Sequence, residues 1–155
     1  MTNSAPAPDS DSPQQTLVVR RTIQASPERL FAAWTEPEQL RAWWGPEGVV
    51  CIAADVDLRP GGRYRIGNQL PDQRVLWIVG EFELVEPPRR LVYTWRVEGL
   101  SETEERVTVQ FESQGAATEV IVTHERIPSR EIRDQHEQGW EGCLSGLAEF
   151  LAAER

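Results

Sequence analysis

The chain has 155 residues, a formal charge of −9 and a pI near 4.8, which suits one domain able to bury a core without disulfides or metals. No basic run is long enough to track phosphates, so nucleic acid is excluded as a partner and an anionic membrane surface is disfavoured. No segment approaches the roughly 18 uninterrupted apolar residues of a membrane helix, which excludes membrane insertion.

Residues 1–15 are rich in Pro, Ser, Asp and Gln with almost nothing to bury, and are expected to be a disordered tail before a single domain over 16–155. The N-terminus has neither a basic start nor an apolar run, and Cys51 and Cys143 are widely spaced. A cytoplasmic protein with free thiols is expected.

"TLVVRRTI" alternates with the period of a strand, Leu17, Val19, Arg21 and Ile23 sharing a face. Ser26 and Pro27 then cap and open a helix with Leu30, Phe31 and Trp34 on one side, and Pro37 opens a second short helix that stops at Gly45-Pro46. From Val49 the period returns to two through six further strands joined by short turns, as in an antiparallel meander. Alternation points inward Val50, Ile52, Ala54 and Val56, then Leu91, Tyr93 and Trp95, then Val107, Val109 and Phe111, then Val120, Val122 and His124. The stretch 75–85 is apolar on both faces over part of its length.

A long helix is expected from about Ser129 to Ala153, with Ile132, His136, Gly139, Trp140, Cys143, Leu144 and Leu147 on one stripe. Gly139, Gly142 and Gly146 edge that stripe, each weakening the helix by up to about 1 kcal/mol against alanine. Such a pattern reads as close backbone packing or as empty space beside the helix. A helix lying across a curved sheet with small residues on its inner edge has the geometry of a cavity.

His136-Glu137 opens like a zinc-protease helix, but the position for the second histidine holds Trp140. With two His and two Cys in the chain, no metal site is expected. His124 and His136 either sit satisfied in the core or offer hydrogen bonds to a ligand. No acid is fixed beside them by sequence, because Glu137 lies about 100° around the helix. Cys143 reads as a small apolar residue. Arg21 either pairs with a carboxylate such as Glu81 or reaches solvent. "RPGG" precedes no helix and reads as a hairpin turn whose glycines supply positive φ.

The segments "SPERLFAAWTEPEQLRAWWGP", "DLRPGGRYR", "GEFELVEPPRRLVYTW" and "HEQGWEGCLSGLAEFL" resemble the bacterial proteins grouped with activators of the ninety-kilodalton heat-shock chaperone, in the START-like, birch-pollen-allergen-like (SRPBCC) superfamily. The resemblance implies an α+β helix-grip fold: a curved antiparallel sheet of six to seven strands wrapped on a long C-terminal helix, with two short helices after the first strand. It leaves three functions open. The first is binding of an apolar or aromatic small molecule, without a cofactor, at Trp34, Trp44, Tyr93, Trp95, His124, His136, Gly139, Trp140, Cys143 and Leu147. The second is a cyclase- or hydrolase-like enzyme using His124 or His136 as base. The third is a chaperone-associated, stress-response protein whose outer sheet face binds a chaperone or other protein partner; a homodimer is a separate expectation.

Overall fold

The computed structural model describes residues 14–45, 48–101 and 103–154. Most of the expected tail lies outside the described residues, and the first strand opens one residue earlier than expected, at Gln15. The elements run β1 (Gln15–Ile23), α1 (Pro27–Thr35), α2 (Pro37–Trp43), β2 (Val50–Val56), β3 (Arg63–Gln69), β4 (Val75–Glu86), β5 (Arg90–Val97), β6 (Glu105–Gln114), β7 (Ala117–Ile127) and α3 (Arg130–Ala152). The seven strands form one antiparallel sheet in the order β1-β7-β6-β5-β4-β3-β2. Consecutive strands β2 to β7 are neighbours, so short turns suffice, while β1 closes onto β7.

The helix starts follow from their caps. Ser26 Oγ accepts the Arg29 amide at 3.1 Å, with Pro27 opening the first turn of α1; Ser129 Oγ accepts the Ile132 amide at 3.2 Å at the start of α3. Each satisfies an amide that the helix leaves unpaired. The buried face of α3 is carried by Trp140, Cys143, Leu144, Leu147 and Leu151, which share one core with Leu17, Val107, Val109, Val120 and Val122 of the sheet.

Two strands depart from simple alternation. In β2, Cys51 is buried whereas Val50 and Ile52, both expected inside, are 58% and 38% exposed. The register shifts between Cys51 and Ala53, and the extra residue of such a bulge reverses which face the following side chains occupy. Ala54 and Val56 therefore do pack against the core. In β4, Ile78 and Phe82 face inward, and a second shift between Phe82 and Leu84 turns Val85 to the core. Trp77 lies across the sheet from them, its ring 3.7 Å from the Arg65 guanidinium carbon.

Arg21 keeps the phase of Leu17 and Val19, yet its guanidinium passes over the sheet edge and donates to Ser145 Oγ of α3 at 2.9 Å. Glu81 is not its partner: it sits opposite Arg63 across the β3–β4 pair. In the "RPGG" turn only Gly61 has positive φ, +84°; Gly62 is needed because a Cβ there would stand 2.0 Å from the Asp57 carbonyl oxygen.

The helical glycines divide between the two meanings of the pattern. A Cβ on Gly146 would stand 3.0 Å from the Trp43 carbonyl oxygen, so α3 and the end of α2 are in backbone contact there. A Cβ on Gly139 would meet nothing within 4 Å. Gly139→Ala is therefore expected to raise stability by up to about 1 kcal/mol through helix propensity. Gly146→Ala should instead lower it, and urea unfolding of the two variants should give midpoint shifts of opposite sign.

Candidate functional site

Three of the four tryptophans expected to wall a cavity, Trp34, Trp44 and Trp140, pack against one another instead. Trp34 of α1 stacks on Trp140 of α3 with centroids 6.1 Å apart and meets Trp44 edge-on at 6.2 Å; Trp44 meets Trp140 at 5.6 Å, and Trp43 closes the cluster at 5.1 Å from Trp34. The Trp34 indole N–H donates to the Tyr93 hydroxyl at 3.3 Å. Burial pushes the Tyr93 pKa up against the opposing pull of that hydrogen bond, so the phenol stays protonated. Between Trp34, Trp44, Tyr93 and Trp95 there remains a gap of only about 20 Å³, about one water's worth of space. Cys143 and Leu147 are buried in the same packed layer, and burial pushes the Cys143 thiol up to about 12, which rules out a thiolate nucleophile at neutral pH.

Around His124 the side chains form a chain of hydrogen bonds. The Trp140 Nε1–H points at His124 Nδ1 at 3.0 Å, and an indole N–H can only donate. The neutral ring must then carry its proton on Nε2, which faces Glu105 Oε1 at 2.7 Å. His136, one helical turn before Trp140, brings its Nε2 to 3.0 Å from the same oxygen. An ionised carboxylate accepts only, so His136 also donates from Nε2. The imidazoles stack at 4.6 Å, and both meet the edge or face of Trp95 at 4.8–4.9 Å. His124 is fully buried and Glu105 is 3% exposed.

The titration of these groups follows from that geometry. Burial works against the Glu105 charge, but hydrogen bonds from His124 and His136 outweigh it and hold its carboxyl below the ordinary value. Burial lowers the His124 pKa, with the Glu105 hydrogen bond only partly opposing it. A second proton on His124 would have to sit on Nδ1, against the indole N–H, so the ring is held neutral on structural grounds too.

Glu105, His124 and His136 each bring a ligand atom within 4.8 Å of the others, the residue types of a two-histidine, one-carboxylate metal centre. Counting histidines and cysteines alone misses this arrangement, because the third ligand would be a carboxylate. Ligation through His124 Nε2, however, would move its proton to Nδ1, facing the Trp140 N–H with no acceptor between them. The cluster is a hydrogen-bonded one. Purified protein is expected to hold no stoichiometric zinc or iron, with chelators leaving its unfolding midpoint unchanged; elemental analysis giving about one metal ion per chain would overturn this.

Beside the cluster a cleft of about 690 Å³ opens between the first turns of α3 and the far end of the sheet, within the usual range for a ligand site. Glu105 and His136 stand in its wall with Trp95 and Asn68; Leu76, Ile78 and Val97 supply apolar wall from the sheet, and Pro128 and Ile132 from the helix side, with Gln135 beside them. Leu100, Ser101 and Thr103 of the β5–β6 connection border it. Two side-chain atoms here have no hydrogen-bond partner: Trp95 Nε1 and Asn68 Oδ1, in residues 8% and 7% exposed. Of the residues expected at a site, the structure brings Trp95 and His136 to this cleft and Trp34, Trp44 and Tyr93 to the small gap. His124 and Trp140 stand behind the wall as its support, and Gly139 faces open space on a half-buried part of α3. Glu105 and Asn68 were not anticipated.

A curved antiparallel sheet closed on one long C-terminal helix, with two short helices after the first strand, is the helix-grip architecture of the START-like superfamily. Within that class the chain belongs to the Activator of Hsp90 ATPase homolog 1-like family, whose sequence profile matches residues 24–152. Among solved structures it is similar to the AHSA1 protein of Silicibacter pomeroyi, with a TM-score of 0.83 and 28% identity over 91% of this chain and 100% of that one. It is also similar to a Rhodobacter sphaeroides protein (TM-score 0.78, 29% identity, 90% and 94% covered) and to a Chromobacterium violaceum protein (0.80, 26%, 86% and 94%). No curated protein matches the chain significantly. Among the described residues no helix is long and apolar enough to cross a membrane.

Proposed function

We propose that the protein is a non-enzymatic, cytoplasmic binder of a small amphipathic molecule, held in the cleft between α3 and the β3–β6 end of the sheet. One observation carries this reading: two residues of the same cleft wall each hold a buried polar atom without a partner, the donor Trp95 Nε1–H and the acceptor Asn68 Oδ1. Leaving such groups unpaired is unfavourable by about 1–3 kcal/mol each, and a ligand with a polar end satisfies both while its apolar body covers Leu76, Val97 and Ile132. The remaining site residues hold the wall in place: Trp140 fixes His124, and His124 with His136 fixes Glu105.

The catalytic alternative narrows to His136. Both nitrogens of His124 are engaged and its ring is sealed from solvent, whereas His136 is oriented through Nε2 by Glu105 and borders the cleft, the arrangement of a carboxylate-positioned base. A partner-binding role on the outer sheet face asks for a contiguous apolar patch. Among the described residues the exposed apolar side chains of the sheet are Val18 on β1 and Val50 and Ile52 on β2, at opposite ends of the strand order.

The test is saturable binding of the neutral dye Nile red, followed by its fluorescence, in the wild type and in Ile132→Trp, whose larger ring occupies the cleft from its half-buried position. At least a tenfold loss of affinity with an unchanged unfolding midpoint is expected. Unchanged affinity in the folded variant would place the dye elsewhere and remove the reading.

A further inference from the structure

We propose that the ligand of this cleft carries an uncharged head group that both donates and accepts hydrogen bonds, a hydroxyl or a carboxamide, and that the site rejects carboxylates. The inference rests on the binding reading above and adds the chemistry of what is bound.

The two unpartnered atoms set complementary demands. Trp95 Nε1–H needs an acceptor and Asn68 Oδ1 needs a donor. A carboxylate only accepts, and an ammonium only donates, so each leaves one of the two unpaired; a hydroxyl or a primary amide serves both. Against the carboxylate, charge points the same way; the ammonium is disfavoured by the unpaired Trp95 donor alone. The wall holds one acid, Glu105, and no arginine among its described residues, and the chain contains no lysine at all. Of the groups facing Glu105, His124 on β7 is confined to its neutral form by Trp140, and Trp95 on β5 is uncharged. His136 on α3 spends its Nε2–H on the Glu105 carboxylate 3.0 Å away, so that donor is not free to receive a carboxylate ligand. A carboxylate ligand thus meets a fixed negative charge with no free cation to offset it, in a partly desolvated cleft where that repulsion is weakly screened. Ser101 and Thr103 at the rim are neutral and do not alter the balance.

The experiment is a competition at pH 7 in which 1-octanol, octanamide, octanoate and octylammonium, sharing one apolar body, displace Nile red from the wild-type protein. Octanol and octanamide are expected to bind at least tenfold more tightly than octanoate, a difference of about 1.4 kcal/mol. In Glu105→Gln, which keeps an acceptor for both histidines, that gap should shrink to about threefold or less, circular dichroism confirming the fold. Asn68→Leu gives a second variant, in which octanol and octanamide should lose affinity while octanoate does not. Octanoate or octylammonium binding the wild type as tightly as the neutral pair would overturn the head-group assignment while leaving the cleft as the binding site. Should none of the four displace the dye, the cleft reading itself falls, and the assignment with it.

Discussion

Glu105→Ala is expected to destabilise the protein by about 3 kcal/mol or more at pH 7, read from urea unfolding. Two imidazole N–H groups donate to one Glu105 oxygen, and each buried donor left without an acceptor is unfavourable by about 1–3 kcal/mol. His124 cannot turn away, because Trp140 occupies its other nitrogen. Glu105→Gln retains an acceptor oxygen and should lose distinctly less. The pH dependence has a definite sign. Both the Glu105 and His124 pKa values are depressed in the folded state, so the unfolded chain binds more protons and stability rises with pH through that range. The contribution is present in full above the unfolded values, about 6.5 for His and about 4.3 for Glu, and is lost as pH falls through the depressed folded ones. Stability of the wild type should therefore decline from pH 7 towards pH 4. Glu105→Gln should keep the part of that decline due to His124, since the lost carboxylate is what supports a charge there, and should lose only the part near and below about pH 4.3. A loss under 1 kcal/mol in Glu105→Ala would show that the cluster is not a stabilising unit.

The order of elements was legible because each carries local punctuation. Ser26-Pro27, Pro37 and Ser129 mark helix starts, and Gly61 and Gly115 mark turns. The inward face of β2 was not legible, since alternation assumes an unbroken register and the bulge after Cys51 inserts a residue that no composition rule announces. The acid beside the histidines was closer to hand. Extending the inward series Phe111, Val109, Val107 back by one step of two reaches Glu105, and the register places it opposite Trp95. In β3, Tyr64, Ile66 and Asn68 share one phase, so the same step of two from Ile66 reaches Asn68. An in-phase polar residue at the end of an apolar strand was the available signal for both. What periodicity cannot supply is how neighbouring elements divide volume. The same inward tryptophans fit a hollow or a filled interior, and only their mutual packing decides for the filled one.

That decision has a direct consequence for Trp34, the hub of the packed layer. Its ring contacts Trp43, Trp44, Phe111 and Trp140 at centroid distances of 5.1–6.2 Å, and its N–H is bonded to Tyr93. Trp34→Ala is expected to reduce stability by about 3–5 kcal/mol, because the removed ring loses both its transfer energy and the contacts of a cavity that the neighbours only partly close. The void should be apolar apart from the Tyr93 hydroxyl, a setting in which an aromatic molecule of matching shape can take the place of the missing side chain. Added indole should therefore raise the melting temperature of Trp34→Ala in a saturable way, its N–H replacing the lost donor to Tyr93, and leave the wild type unaffected. A loss below about 1 kcal/mol, together with indole stabilising the wild type equally, would mean that the layer around Trp34 already contains usable space, and the ligand would then belong in that layer rather than in the cleft at Trp95 and Glu105.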